Sequence, residues 1–215
     1  ILPLLPLQKG LLFHAQTAGD SGSYNSLTRL TFSGPLAEDR LRTALNAVVR
    51  HHPQLAARFD SDLALQPPPL IPAIAPQQGC WQLDSQHLPE MTPEEEDAAL
   101  LALEKIELAR DLFSQPAMLH ALLVRHGDTP RSTLLLNAHH LAVAGWSTPV
   151  ILTDLLTALY HGPQALTPHR ASPADILRQL APRPAAASLP IWHLVLQVVR
   201  PTLLFGADAP AGEVH

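Results

Sequence analysis

Only one cysteine, Cys80, stands among 215 residues, which excludes an internal disulfide and any cysteine-based zinc site and fits a reducing, cytoplasmic setting. Nothing beside Cys80 in sequence supplies a base or a positive charge to activate the thiol, so it reads as unreactive. Basic residues are outnumbered, 14 Lys and Arg against 19 Asp and Glu, for a formal charge of −5. With no basic stripe anywhere, this balance argues against a nucleic-acid partner. Long apolar runs are missing too. Ile191 to Val199 is interrupted by His193 and Gln197 and falls far short of the ~20 residues that span a bilayer, so no membrane segment is expected. The apolar start, Ile1 to Leu7, has neither a basic leader nor a small-residue cleavage site and carries Pro3 and Pro6; it does not read as a signal peptide. What is present is globular in composition, with 47% hydrophobic and 15% charged residues, enough to bury a full core.

Periodicity sketches a mixed fold. Residues 26–34 alternate Leu30 and Phe32 with Arg29 and Thr31, the period of a strand that Pro35 ends. From Glu38 to about Arg50 the apolar Leu41, Ala44, Leu45, Val48 and Val49 recur at helical spacing, with Glu38 and Asp39 complementing the helix dipole. Thr92-Pro93-Glu94-Glu95 is a capping box with proline at the first helical position, opening a helix to about Arg110. Its acidic run reads as a solvated first turn rather than a cation site. Met118 to Arg125 and Ser132 to Ala138 are strand-like runs joined by the turn-rich 126–130, as in a hairpin. Leu152, Leu155, Leu156 and Leu159 form one face of a helix that stops near Gly162-Pro163. The proline-rich stretch from Gln66 to Pro76 reads as an extended surface connection. With no regular βαβ repeat, the pattern indicates an α+β layer rather than a dinucleotide-binding domain.

One segment carries chemistry. In His139-His140-Leu141-Ala142-Val143-Ala144-Gly145-Trp146-Ser147 two histidines end the apolar strand, and Ser147-Thr148-Pro149 begins a helix with a cap and an early proline. Adjacent strand residues point to opposite sides, so one imidazole faces outward while the other packs inward. This stretch resembles the HHxxxDGWS motif of nonribosomal peptide synthetase condensation domains, which belong to the chloramphenicol acetyltransferase-like acyltransferases. Leu2 to His14 is similar to the opening motif of that family, and Pro201-Thr202-Leu203-Leu204 to a segment after its first lobe. The order Gly145-Trp146-Ser147 speaks against the epimerisation relatives, and the intact histidines against the cyclisation relatives.

The resemblance implies an α+β, chloramphenicol acetyltransferase-like two-layer sandwich, one lobe of a two-lobed domain. Residues 1–180 are expected to form the N-terminal lobe, and 181–215 a Pro/Ala-rich linker toward a C-terminal lobe; the chain reads as a piece of a longer polypeptide. The whole domain would join a carrier-bound donor acyl thioester to a carrier-bound acceptor amine. Its partners would be that C-terminal lobe and the donor and acceptor carrier domains, whose phosphopantetheine arms bring the substrates; the lobe itself would bind no cofactor. His140 is implied as the base or amine-positioning group, since neutral imidazole accepts protons near neutrality. His139 is expected to donate a hydrogen bond that holds the loop. Gly145 would allow a special backbone conformation or close approach, and Trp146 would anchor the loop in the core. Two departures stand out. Ala144 occupies the position of the motif aspartate, which the family uses for ionic pairing, so the base is present but its loop lacks a support. In His51-His52-Pro53-Gln54-Leu55-Ala56-Ala57-Arg58-Phe59, which resembles RHxxLRxxF, His51 and Ala56 stand where arginines are usual. An inactive domain is one consequence to test. A carrier-docking platform without catalysis and a free-standing acyltransferase with a soluble donor are the alternatives. Ser147 lacks the Gly-x-Ser-x-Gly elbow of a nucleophile. A metal site is not expected, because adjacent histidines rarely share an ion and no carboxylate sits at helical spacing. His51-His52 reads instead as a pair at a helix C-terminus, where positive charge is favoured.

Overall fold

A computed structural model of the chain describes residues 2–17, 22–56, 70–71, 81–115, 118–168, 173–180 and 185–197. Cys80, Arg58, Phe59, the segment 201–204 and all but two residues of the proline-rich stretch lie outside these. Two compact units are present, 1–181 and 182–215.

The first unit is built on a four-stranded sheet in the order β2-β6-β5-β4, comprising β2 (Asn25–Phe32), β4 (Gln82–Leu88), β5 (Leu119–His126) and β6 (Ser132–His139). The hairpin expected between 118 and 138 forms, with Leu123 opposite Leu134. Leu2–Pro3 (β1) and Leu70–Ile71 (β3) make a separate two-stranded antiparallel sheet. The described part of the proline-rich stretch is therefore extended.

Helices α2 (Glu38–His51) and α4 (Thr148–His161) pack on one face of the large sheet. Leu41, Leu45 and Val48 of α2 and Leu155 and Leu159 of α4 meet Leu123, Leu134 and Leu136 in a single core. α3 (Pro93–Leu108) covers the opposite face, where Leu100 packs with Leu122, Val124 and Leu135. Because both faces are covered, β5 and β6 read as continuous apolar runs rather than alternating ones. The capping box of α3 is complete, with the Thr92 hydroxyl accepting from Glu95 N–H and the Glu95 carboxylate accepting from Thr92 N–H. One feature departs from the sequence reading: β4 and β5 are parallel, joined through α3 as a single βαβ crossover. A lone crossover leaves no repeat for a period search to detect. α4 ends at Gly162, whose φ of 87° is open to glycine and strained for other residues.

α1 (Pro6–Thr17) buries Leu12 in a smaller cluster with Leu4, Leu112, Met118 and Leu141. A short α5 (Pro173–Leu180) completes the unit. In the second unit a 3₁₀ turn leads into α6 (Leu189–Leu196), an apolar helix whose Leu189, Ile191, Trp192 and Leu194 are exposed. Among the described residues no helix is long and apolar enough to cross a membrane.

Candidate active site

β6 runs between β2 and β5, and the residues at its end hydrogen-bond alternately to either side. His139 N–H donates to Met118 C=O at 3.0 Å and His140 N–H to Tyr24 C=O at 2.9 Å. That alternation separates the two imidazoles. His139 is fully buried, whereas His140, one residue on, is exposed.

The His139 ring sits edge-on to Phe113 and Tyr24, with centroids 5.1 and 6.1 Å away. Burial, with a lesser push from the neighbouring His140, lowers its pKa to about 4, so it stays neutral at physiological pH. Its Nδ1 accepts from Leu141 N–H at 3.1 Å, which places the ring proton on Nε2. His139 thus holds the loop as an acceptor, the reverse of the donor role expected from sequence. The backbone N–H is the partner the turn presents, and a ring nitrogen can meet it only with a lone pair.

His140 has the opposite tautomer. Its Nδ1 lies 3.2 Å from Val143 C=O, a partner that only accepts, so Nδ1 carries the proton and the lone pair is on Nε2. A neutral imidazole steered by a carbonyl at one nitrogen and exposed to solvent is equipped to accept a proton at the other.

The connection to α4 is held by apolar side chains and by one polar clamp. Leu141 and Val143 are buried, and Gln8 of α1 donates through Nε2 to Leu141 C=O at 3.1 Å while its Oε1 accepts from Leu5 N–H. Sequence reasoning misses Gln8 because its partner is 133 residues away; its place inside the opening motif is the available signal.

Three expectations for this loop are corrected. Trp146 is 94% exposed and anchors nothing in the core, because Leu141 and Val143 already fill the space beneath the loop. Gly145 has no positive φ, and a Cβ added there would meet no atom within 4 Å; it simply opens a 3₁₀ turn over Gly145–Ser147. Ser147 makes no side-chain cap, because as the end of that turn it already has helical φ −80° and ψ −25° where a capping residue is extended. Ala144 is exposed and extended, with φ −91° and ψ 159°, so the loop closes without a carboxylate at this position. Substituting Trp146 with alanine is expected to change the unfolding free energy by less than about 0.5 kcal/mol. Thermal unfolding checks this, and a loss several times larger would show that the indole packs after all.

Behind the site, polar side chains brace the strand. Asn25, paired across from His139, donates to Leu108 C=O at 2.9 Å and Arg110 C=O at 2.8 Å. Asn137 donates to Glu107 C=O. Together they tie β2 and β6 to carbonyls at and just past the end of α3. At Gly22, which leads into β2, a Cβ would lie 2.7 Å from Leu108 O, so glycine permits this close approach. A cavity of about 30 Å³ beside Trp81, Asn137, Val143 and Thr148 has room for a water, not for a substrate.

An α+β lobe that presents one exposed imidazole at a strand end, backed by a buried one, is consistent with the chloramphenicol acetyltransferase-like fold. Residues 1–171 match the family model "Condensation domain", and the chain belongs to that family. It is 43% identical over 216 residues to vanchrobactin synthetase VabF of Vibrio anguillarum, aligning 99% of this chain with 7% of that protein. It is 27% identical over 176 residues to bacitracin synthase 3 of Bacillus licheniformis, covering 81% of this chain and 3% of that protein. Among solved structures, a variant starter condensation domain of the rhizomide synthetase RzmA superposes with a TM-score of 0.76 at 18% identity, over 97% of this chain and 48% of that one. The chain therefore spans a small fraction of the curated synthetases and about half of a solved condensation domain.

Proposed function

We propose that this chain is the N-terminal lobe of a nonribosomal peptide synthetase condensation domain, and that it supplies His140 as the base or amine-positioning group for amide formation. The observation that carries the reading is the exposed His140 imidazole, with Nδ1 directed at Val143 C=O. In the reaction an acceptor amine attacks the carbonyl of a donor thioester. The new C–N bond forms, the C–S bond breaks, the amine proton passes to Nε2, and the leaving thiolate is protonated. His139, neutral and enclosed, takes no part in the transfer and fixes the strand end. Both substrates arrive on phosphopantetheine arms of carrier domains, and a C-terminal lobe closes the channel above His140; the lobe described here needs no cofactor of its own. Ala144 removes a charge from the loop rim but not the fold of the loop, which Leu141, Val143 and Gln8 maintain, so the domain is expected to retain activity.

The test is a condensation assay using the complete domain and two loaded carriers, with this chain alone as a second sample. Dipeptidyl product from the complete domain and none from the chain alone supports the reading. Carrier binding without product would favour a docking platform, and product from a soluble acyl thioester only would favour a free-standing acyltransferase. In the same assay Ala144→Asp is expected to change the rate by less than about tenfold, because the loop already closes without a carboxylate at this position.

A further inference from the structure

The second histidine pair lies away from this chemistry, at the end of α2, and the structure brings a carboxylate to it from another helix. His52 Nε2 is 2.6 Å from Asp154 Oδ2 on α4, and His51 Nε2 is 3.9 Å from the same oxygen. The three donor atoms lie within 4.8 Å of one another. We propose that His51, His52 and Asp154 form a site for a divalent transition metal of the zinc class.

The donor set is chemically suited to such an ion. Two imidazoles and a carboxylate are borderline to hard ligands, which favours Zn²⁺ and its neighbours over Ca²⁺ or Mg²⁺. Metal–ligand bonds of about 2.0–2.1 Å place tetrahedral donors about 3.3 Å apart. Here the two separations from Asp154 are 2.6 and 3.9 Å and all three donors lie within 4.8 Å of one another, so binding requires the Asp154 carboxylate to swing and the two imidazoles to adjust around the ion. Side-chain exposures of 14% for His51, 6% for His52 and 20% for Asp154 describe a partly enclosed cluster near the surface, with a side open for a fourth ligand from water. α2 ends here, and the negative end of its dipole favours a cation. The scaffold is firm, because α2 and α4 share the main core and Arg40 Nε donates to Leu159 C=O at 2.8 Å.

Metal-free, His52 donates its Nε2 proton to Asp154. Binding shifts the ring proton to Nδ1, so that the neutral imidazole turns its Nε2 lone pair to the ion. His51 is the decisive member, since arginine, usual at this position in the family, cannot ligate a metal, and histidine can. The carboxylate comes from more than a hundred residues away, so sequence spacing could not reveal it. The ion would tie the end of α2 to the helix that follows the His140 loop, a structural clamp outside the reaction.

The experiment titrates the purified metal-free chain with Co²⁺ and reads the visible ligand-field bands, then displaces Co²⁺ with Zn²⁺. Expected are intense tetrahedral bands saturating at one equivalent and lost on adding Zn²⁺. His51→Arg, which restores a cation able to pair with Asp154, and Asp154→Asn should each weaken Co²⁺ binding by more than about tenfold, with the fold checked by circular dichroism. Should the parent chain show no such bands, or should both variants titrate like the parent, the ion is not held here and the proposal fails. His140→Ala, which leaves the cluster intact, should bind as the parent does, and this outcome separates the metal site from the amide-forming reading.

Discussion

Replacing His140 with alanine in the complete domain is expected to lower the turnover of loaded carriers by about 10²- to 10⁴-fold, the range that a positioned proton acceptor contributes. Its basis is geometric. The ring is exposed, yet its Nδ1 is committed to Val143 C=O at 3.2 Å, so the tautomer that leaves Nε2 free is set before any substrate arrives. Because His140 is exposed and packs into no core cluster, the variant should fold and bind carriers as the parent does, and the loss should fall on single-turnover rate. His139→Ala is the contrasting case. It removes a fully buried ring that accepts from Leu141 N–H, so thermal stability should fall together with activity. A His140→Ala rate within about threefold of the parent would show that the reaction proceeds without this imidazole and would overturn its assignment as base or amine-positioning group.

What can be read from the sequence follows from the range of the interactions concerned. The capping box at Thr92 and Glu95, the amphipathic α2 and the stop at Gly162 rest on residues a few positions apart, and each forms as read. The opposed placement of His139 and His140 is equally legible, since it depends only on strand alternation. Trp146 is not: whether an aromatic side chain packs inward depends on what already occupies the space, and Leu141 and Val143 occupy it. The tautomers of the two histidines require knowledge of which backbone groups the turn presents. Gln8, Asn25 and Asp154 act across 133, 83 and 102 residues respectively, and only the folded sheet and helices bring their partners near. Side chains that support the site are thus harder to find than the histidine it displays.

The largest loss of stability should come from Glu107→Ala, at about 3–5 kcal/mol, the scale for breaking a buried ion pair by removing one partner. Glu107 ends α3 with 1% of its surface exposed, and His120, facing it from β5, has none. The Glu107 carboxylate accepts from Arg110 at 3.0 and 2.6 Å and lies 2.7 Å from His120 Nδ1. His120 Nε2 reaches Asp84 of β4 at 3.1 Å, so the chain of contacts ties α3 to β5, which flanks the strand that delivers His139, and to β4 beyond it. Burial pushes the Glu107 carboxyl up, but hydrogen bonds from His120 and Arg110 outweigh it and hold the group below the ordinary carboxylate value. A depressed carboxyl stabilises the fold fully above its unfolded pKa, and that contribution is lost as pH falls through the folded one. Denaturant unfolding should therefore show the parent losing stability through the acid range more steeply than Glu107→Ala. The alanine variant also leaves a buried imidazole and a guanidinium without their anion. Adding Arg110→Ala to Glu107→Ala should cost less than the two single losses combined, because the second change removes a group the first has already stranded. Additive losses in that cycle would mean that the two side chains act independently and that the network is no more than adjacent contacts.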